Sequence, residues 1–218
     1  MGERPLRAVT HKVDDLTVQG NIGSGKSTVL QALREQDLGW YVREEPLEEW
    51  GELLDLFYRD LDQDLRPAPN ALPFSVQVLT SFSPKLHAVE APGGVFVFER
   101  SPRTCRDVFT KILLDDGRIT PAEWRTFDKY YELLGWEPAA CIYVDTPPEV
   151  CLERLQGRGR PAEQNVDICY LKRLGHAYKG RLASGGRVIT LDGTLPAEEL
   201  AAKALAAVRA LAGLRGGA

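Results

Sequence analysis

Residues 20–27 read Gly-Asn-Ile-Gly-Ser-Gly-Lys-Ser and satisfy the pattern G-x-x-x-x-G-K-[ST] of a phosphate-binding loop. The chemistry accounts for each residue type. Gly20, Gly23 and Gly25 let the backbone turn with its N–H groups inward, where they can cradle phosphate oxygens. Lys26 can reach the outer phosphates as a point charge, and the Ser27 hydroxyl can take a position on Mg²⁺. Leu16-Thr17-Val18 before the loop is β-prone, and residues 28–33, from Thr28 onward, read as helix. That helix would point its positive N-terminal end at the same anion. The segment is therefore a nucleoside triphosphate site.

Three other groups could serve the same chemistry. Glu44-Glu45 follows a short β-prone run about twenty residues past the loop. A carboxylate there could accept the proton of a hydroxyl attacking a γ-phosphate, and position alone does not choose between the two. Glu99-Arg100 offers a carboxylate able to hold Mg²⁺ through water, and a guanidinium able to steady a transferring phosphoryl group. The bland alternative for that pair is a surface ion pair. Arg154, Arg158 and Arg160 surround Gly157 and Gly159, as in an arginine-bearing loop that closes over a polyphosphate.

The elements that must position these residues follow from periodicity. Strands are expected at Trp40-Tyr41-Val42-Arg43, at the continuous apolar run Val95-Phe96-Val97-Phe98, at residues 140–144 and at residues 188–191. Runs apolar throughout suit strands buried on both faces of a parallel sheet. Helices are expected from the loop to about Gln36 and from Pro46 through Trp50, Leu53, Leu54 and Phe57. Others should span residues 74–89, kinked or cut short at Pro84, and 108–114, 167–182 and 197–211. Thr120-Pro121-Ala122-Glu123 and Thr146-Pro147-Pro148-Glu149 both read as capping boxes opening helices. Residues 60–73, with three prolines, read as the clearest loop. Five strands alternating with helices predict an α/β, three-layer fold of the P-loop NTPase type. Its five-stranded parallel sheet would have helices on both faces and an arginine-rich lid, with the charged strand ends converging on one cleft.

Composition narrows the function further. The 218 residues carry a net charge of −4, so no broad basic surface for nucleic acid is implied. Four scattered cysteines without C-x-x-C spacing and three scattered histidines suggest neither a zinc site nor a redox pair. No apolar run approaches the ~20 residues needed to cross a bilayer. The expectation is a disordered lead-in over residues 1–15 and one kinase domain over 16–218, with a lid at about 157–164, located in the cytoplasm.

Taken together, the motifs resemble the deoxynucleoside kinases. The phosphate loop is joined by Glu45-Pro46-Leu47-Glu48-Glu49-Trp50, Phe74-Ser75-Val76-Gln77, Glu99-Arg100-Ser101 and Arg106-Asp107-Val108-Phe109. The likeness continues through residues 148–154 and 158–163, in the family's order and spacing. It implies transfer of the γ-phosphate of ATP, with Mg²⁺, to the 5′-hydroxyl of a deoxynucleoside in nucleotide salvage, by a homodimer.

Residue roles follow from the resemblance. Glu45 would be the base on the 5′-hydroxyl, Arg100 would contact the phosphoryl group and hold Glu45, and Glu99 would assist Ser27 with Mg²⁺. Gln77 would pair with the base edge, Phe109 would stack on the base, and Trp50 would wall the pocket. Tyr58 and Glu163 would bind the sugar 3′-hydroxyl, while Arg154, Arg158 and Arg160 would attend ATP. Four positions depart from the family's pattern. Gln19 stands where Glu is frequent, a change expected to matter little, and Asp107 replaces an aromatic. Pro84 and Cys105 replace an Arg–Asp pair, so the base pocket is expected to be neutral and to favour pyrimidines, thymidine included. The alternative is a nucleoside monophosphate kinase of the thymidylate kinase type. A guanine-reading N-K-x-D segment, which a nucleotide-dependent switch would need, is missing.

Overall fold

A computed structural model describes residues 16–36, 40–83, 95–160, 163, 166–182 and 187–213. The expected lead-in, Pro84 and the lid positions 161, 162 and 164 lie outside them. The strands are β1 (Leu16–Gly20), β2 (Trp40–Arg43), β3 (Val95–Glu99), β4 (Ala140–Asp145) and β5 (Arg187–Asp192). They form one sheet in the order β2-β3-β1-β4-β5, every pairing parallel, with Val18 beside Ile142 and Thr17 beside Phe98. The helices are α1 (Lys26–Glu35), α2 (Leu47–Asp62), α3 (Ala71–Ser81), α5 (Pro121–Leu134), α6 (Pro148–Arg158), α7 (Ile168–Leu182) and α8 (Ala197–Gly213). Between α3 and α5 runs α4, made of Pro102–Thr104, a π-helical stretch Cys105–Thr110 and Lys111–Asp115.

Strand periodicity sorts the two layers. Val18, Ile142 and Val144 point to one face, where Leu30 and Leu33 of α1 and Ala204 and Val208 of α8 close over them. Cys141 and Tyr143 point to the other face, against Val108 and Ile112 of α4 and Leu174 and Tyr178 of α7. Gln19 shares this second face but does not pack as a hydrophobe. Its amide donates to Ser101 Oγ at 3.3 Å, and its carbonyl accepts from Thr104 Oγ1 at 2.8 Å. Ser101 also caps the first turn of α4 by accepting from Thr104 N. Gln19 thus ties the central strand to the start of the helix that follows Arg100.

Several boundaries differ from expectation for identifiable reasons. The proline-rich segment is loop only between Asp62 and Ala71, because Asp60 extends α2 and accepts from Asn70 N at 2.7 Å and Asn70 Nδ2 at 3.0 Å. Pro73 sits in the first turn of α3, where a missing N–H costs nothing. α3 begins at Ala71 and ends at Ser81, with Phe82 as its C-cap, so the helix expected to run on to 89 stops before Pro84; residues 84–89 lie outside the described ones. α4 begins at Pro102 rather than Val108, with Ser101 as its cap. Thr120 and Glu123 do form the capping box, worth about 1 kcal/mol. Thr146 does not. Pro147 takes the cap position of α6 without a side-chain bond, and the Thr146 hydroxyl donates to the Ser24 carbonyl at 2.8 Å.

Candidate active site

The three charged strand ends lie side by side because β2, β3 and β1 are neighbours in the sheet. They open into a cavity of about 400 Å³, within the range of small-molecule sites.

The donor end is the loop after β1. Gly23 has φ +77°, and a Cβ there would lie 2.6 Å from the Cys151 carbonyl oxygen, so only glycine fits. Ile22, Gly23, Ser24, Gly25, Ser27 and Thr28 line the cavity together with Lys26. Gly20 and Asn21 do not. The Asn21 amide instead donates to the Leu171 carbonyl at 2.8 Å, anchoring the loop to α7. From behind, the Ser24 carbonyl accepts from Thr146 and from Arg154 Nη1 at 3.3 Å, while Arg154 Nη2 reaches the Gly193 carbonyl at 2.8 Å. Arg154 is thus a brace for the loop as well as part of the cavity wall.

That brace leaves no room at Gly193, where an added Cβ would sit 1.9 Å from Thr146 Oγ1. Gly193→Ala is expected to cost about 1–3 kcal/mol in a denaturant titration, as overpacking does. Unchanged stability would show that the brace yields freely.

Four charged side chains meet where the loop faces the other strand ends. Lys26 Nζ donates to the Asn21 carbonyl at 2.8 Å and lies 3.5 Å from Glu99 Oε1. Arg100 Nη1 donates to Glu45 Oε2 and is 3.8 Å from Glu99. Arg100 Nε donates to the Tyr178 hydroxyl at 3.1 Å, and its guanidinium carbon lies 4.9 Å from the Phe109 ring centre. Arg100 also holds φ +63°, strain of the sort found at working sites, with its N–H bonded to the Val18 carbonyl at 2.9 Å.

Burial governs the protonation of this quartet. It lowers Lys26 to about 8, helped by Arg100 and opposed by Glu99 and Glu45. It raises Glu45 above the usual carboxylate range despite Arg100. For Glu99 burial acts upward too, but Lys26 and Arg100 outweigh it and hold the carboxyl low. Glu44 takes no part and pairs with Arg34 at the surface.

The acceptor end is aromatic. Phe57 and Phe74 stack at 4.7 Å, and Trp50 meets Phe74 edge-on at 5.8 Å. Trp50, Tyr58, Cys105, Phe109 and Glu163 all line this end. Gln77 does not. Its amide nitrogen donates to the Glu49 carbonyl at 2.9 Å, while Oε1 is buried without a partner, as is Trp50 Nε1. Arg158 makes a bidentate pair with Glu163, with Nη2 2.6 Å from Oε1, and Arg160 stands 3.7 Å away. These lid arginines and the carboxylate therefore engage one another.

Tyr178, Tyr170, Ser75 and Thr110 were not singled out from the sequence. Tyr170, Ser75 and Thr110 line the cavity, and Tyr178 supports Arg100 from below. Leu171, Leu174 and Tyr178 make an ordinary helical stripe, so nothing local marks the tyrosine as different.

Comparison with known proteins settles the family. The family model for deoxynucleoside kinase matches residues 16–204. The chain belongs to the deoxynucleoside kinase family. Within this family, thymidine kinase of Ictalurid herpesvirus 1 is 31% identical over 194 residues, covering 84% of this chain and 80% of its own. Deoxycytidine kinase 2 of Gallus gallus is 30% identical over 198 residues, covering 75% and 72%. The solved deoxyadenosine kinase of M. mycoides, with products dCMP and dCDP bound, superposes with a TM-score of 0.75. That match covers 90% of this chain and 99% of the other at 20% identity, and it speaks to the fold. As a deoxynucleoside kinase, the chain transfers a phosphoryl group to a nucleoside. No described helix is long and apolar enough to cross a membrane.

Proposed function

We propose that this deoxynucleoside kinase moves the γ-phosphate of ATP to the 5′-hydroxyl of a pyrimidine deoxynucleoside, thymidine or deoxycytidine, in nucleotide salvage. The observation that carries this reading is the placement of Glu45 between an aromatic acceptor end and the phosphate loop, held by Arg100. In this reading Glu45 takes the 5′-hydroxyl proton as that oxygen bonds to the γ-phosphorus. The bond from the γ-phosphorus to the β,γ-bridging oxygen breaks, and ADP leaves. Arg100 and Lys26 stabilise the oxygens of the phosphoryl group in flight. Ser27 and Glu99 are hard oxygen donors that both line the cavity and fit Mg²⁺, which takes few protein ligands besides substrate phosphates. When bound, the ion neutralises phosphate charge.

The pyrimidine preference rests on the neutral group around Cys105. Its thiol, pushed up to about 12 by burial, stays protonated, donates to the Ser75 carbonyl at 3.7 Å and lies 3.9 Å from Thr110 Oγ1. Among the described residues, the hydrogen-bond partners of this thiol are neutral, the Ser75 carbonyl and the Thr110 hydroxyl. Gln77 stands outside the cavity lining, so its buried, unpartnered Oε1 would meet a donor on a base edge only after the side chain releases the Glu49 carbonyl and turns. For a homodimer, Tyr130 and Leu133 of α5, 44% and 61% exposed, offer an apolar contact, and light scattering should return twice the 24.2 kDa chain mass.

The deciding experiment is transfer from ATP–Mg²⁺ to thymidine, deoxycytidine, deoxyadenosine, deoxyguanosine and thymidine monophosphate in parallel. Pyrimidine nucleosides should be the best acceptors. Preference for a purine nucleoside overturns the base assignment, and transfer confined to the monophosphate overturns the role of Glu45.

ATP binding should also move a proton. Lys26 in the free protein titrates near 8, and an adjacent polyphosphate favours its charged form. Between pH 8 and 9, ATP binding is therefore expected to take up as much as about one proton per site. Calorimetry in buffers of different ionisation enthalpy measures this. Heats independent of buffer would refute it, and Lys26→Arg should abolish the uptake.

A further inference from the structure

Arg100 stands in the corner between α4 and α7, and both helices touch it. Phe109 of α4 lies against its guanidinium, Tyr178 of α7 accepts from its Nε, and the two rings meet edge-on at 6.3 Å. What holds this corner together lies on the outer side of α4. There Asp107, its side chain 14% exposed, accepts from Arg106 Nη1 at 2.6 Å. It lies 2.8 Å from Arg181 Nε and 3.6 Å from Arg103 Nε. Arg181 is three residues past Tyr178 and so shares its face of α7. Phe109–Tyr178 and Asp107–Arg181 are therefore two rungs between the same pair of helices, one apolar and one ionic.

The local backbone makes an outer restraint matter. Cys105–Thr110 is π-helical, a widened turn that needs compensation from its surroundings. Arg106 supplies part of it. It reaches Asp128 of α5 at 2.6 Å and lies over the rings of Trp124 and Tyr131 at 5.3 and 5.1 Å. Asp107 joins that anchor to α7. Asp107 is thus shared by three arginines, Arg103 and Arg106 of α4 and Arg181 of α7.

We propose that Asp107 is a positioning residue for Arg100, setting the α4–α7 corner in which the guanidinium is held against Glu45. The inference rests on the assignment of Arg100 to the phosphoryl group. Asp107→Asn keeps the shape and removes the charge. It should lower kcat about tenfold, since small misplacements of a charge-stabilising group are costly, with the KM for ATP unchanged. Asp107→Glu should recover part of the loss.

A double-mutant cycle then separates positioning from general weakening. In single-turnover transfer to thymidine, adding Asp107→Asn to Arg100→Gln should cost little more than Arg100→Gln alone. If the two losses multiply, or Asp107→Asn lowers thermal stability while kcat holds, the inference is overturned. Should Asp107→Asn fail to fold, Arg181→Gln enters the same cycle with the same expectations. If Arg100→Gln transfers phosphate at the normal rate, the role of Arg100 falls and this inference with it. A disabled Arg100→Gln with multiplying losses sinks only the coupling.

Discussion

Glu45→Gln is expected to lower kcat by about 10²–10⁴-fold while ATP still binds, because the amide cannot take the acceptor's proton. The substitution is nearly isosteric and keeps an oxygen for Arg100 Nη1, so loss of structure would not explain such a drop. The same residue fixes the acid limb of activity. A base works only when deprotonated, and burial raises Glu45 above the ordinary carboxylate range. The fall in kcat/KM on acidification should therefore begin at higher pH than for an exposed glutamate. Activity in Glu45→Gln within tenfold of the wild type would remove Glu45 from the chemistry.

Arg100→Gln should be comparably severe, about 10³-fold in kcat, in line with other arginines that meet a transferring phosphoryl group. It should also act through its partner. Glu45 would stay buried without its guanidinium, a loss of about 3–5 kcal/mol when one member of a buried pair is removed. The acid limb should then move to still higher pH. Arg100→Lys is not expected to rescue, since a point charge cannot meet Glu45, Tyr178 and the Phe109 face together. Stopped-flow transfer and chemical denaturation measure the two effects separately. A silent Arg100→Gln would leave the strained φ at this position without a catalytic reason.

The parts of the site legible in the sequence are those whose residue types the backbone itself demands. Gly23 is required by a positive φ and a carbonyl 2.6 Å away, and such requirements survive as a pattern. The parallel sheet was equally readable, because strands covered on both faces need unbroken apolar runs such as Val95-Phe96-Val97-Phe98. Long-range side-chain choices left no such trace. Thr146 and Thr120 open the same four-residue pattern, yet one caps its helix and the other donates across 122 positions to Ser24. Tyr178 reaches back 78 positions to Arg100 from within an ordinary apolar stripe. Asp60 looked like the start of a loop because prolines follow, but its carboxylate organises that turn from the helix end.

The buried quartet also bears on when the reaction stops. Lys26 and Arg100 balance Glu45 and Glu99, so the junction accepts an uncharged nucleoside without leaving a charge unmatched. A product monophosphate carries a dianion to the same spot, where both cations are already engaged by carboxylates. Once ADP withdraws, that dianion sits against the Glu45 carboxylate, while the quartet's own cations, Lys26 and Arg100, stay shared with Glu99 and Glu45. The arrangement thus favours ejection after a single phosphorylation, and it disfavours re-entry of the product as an acceptor.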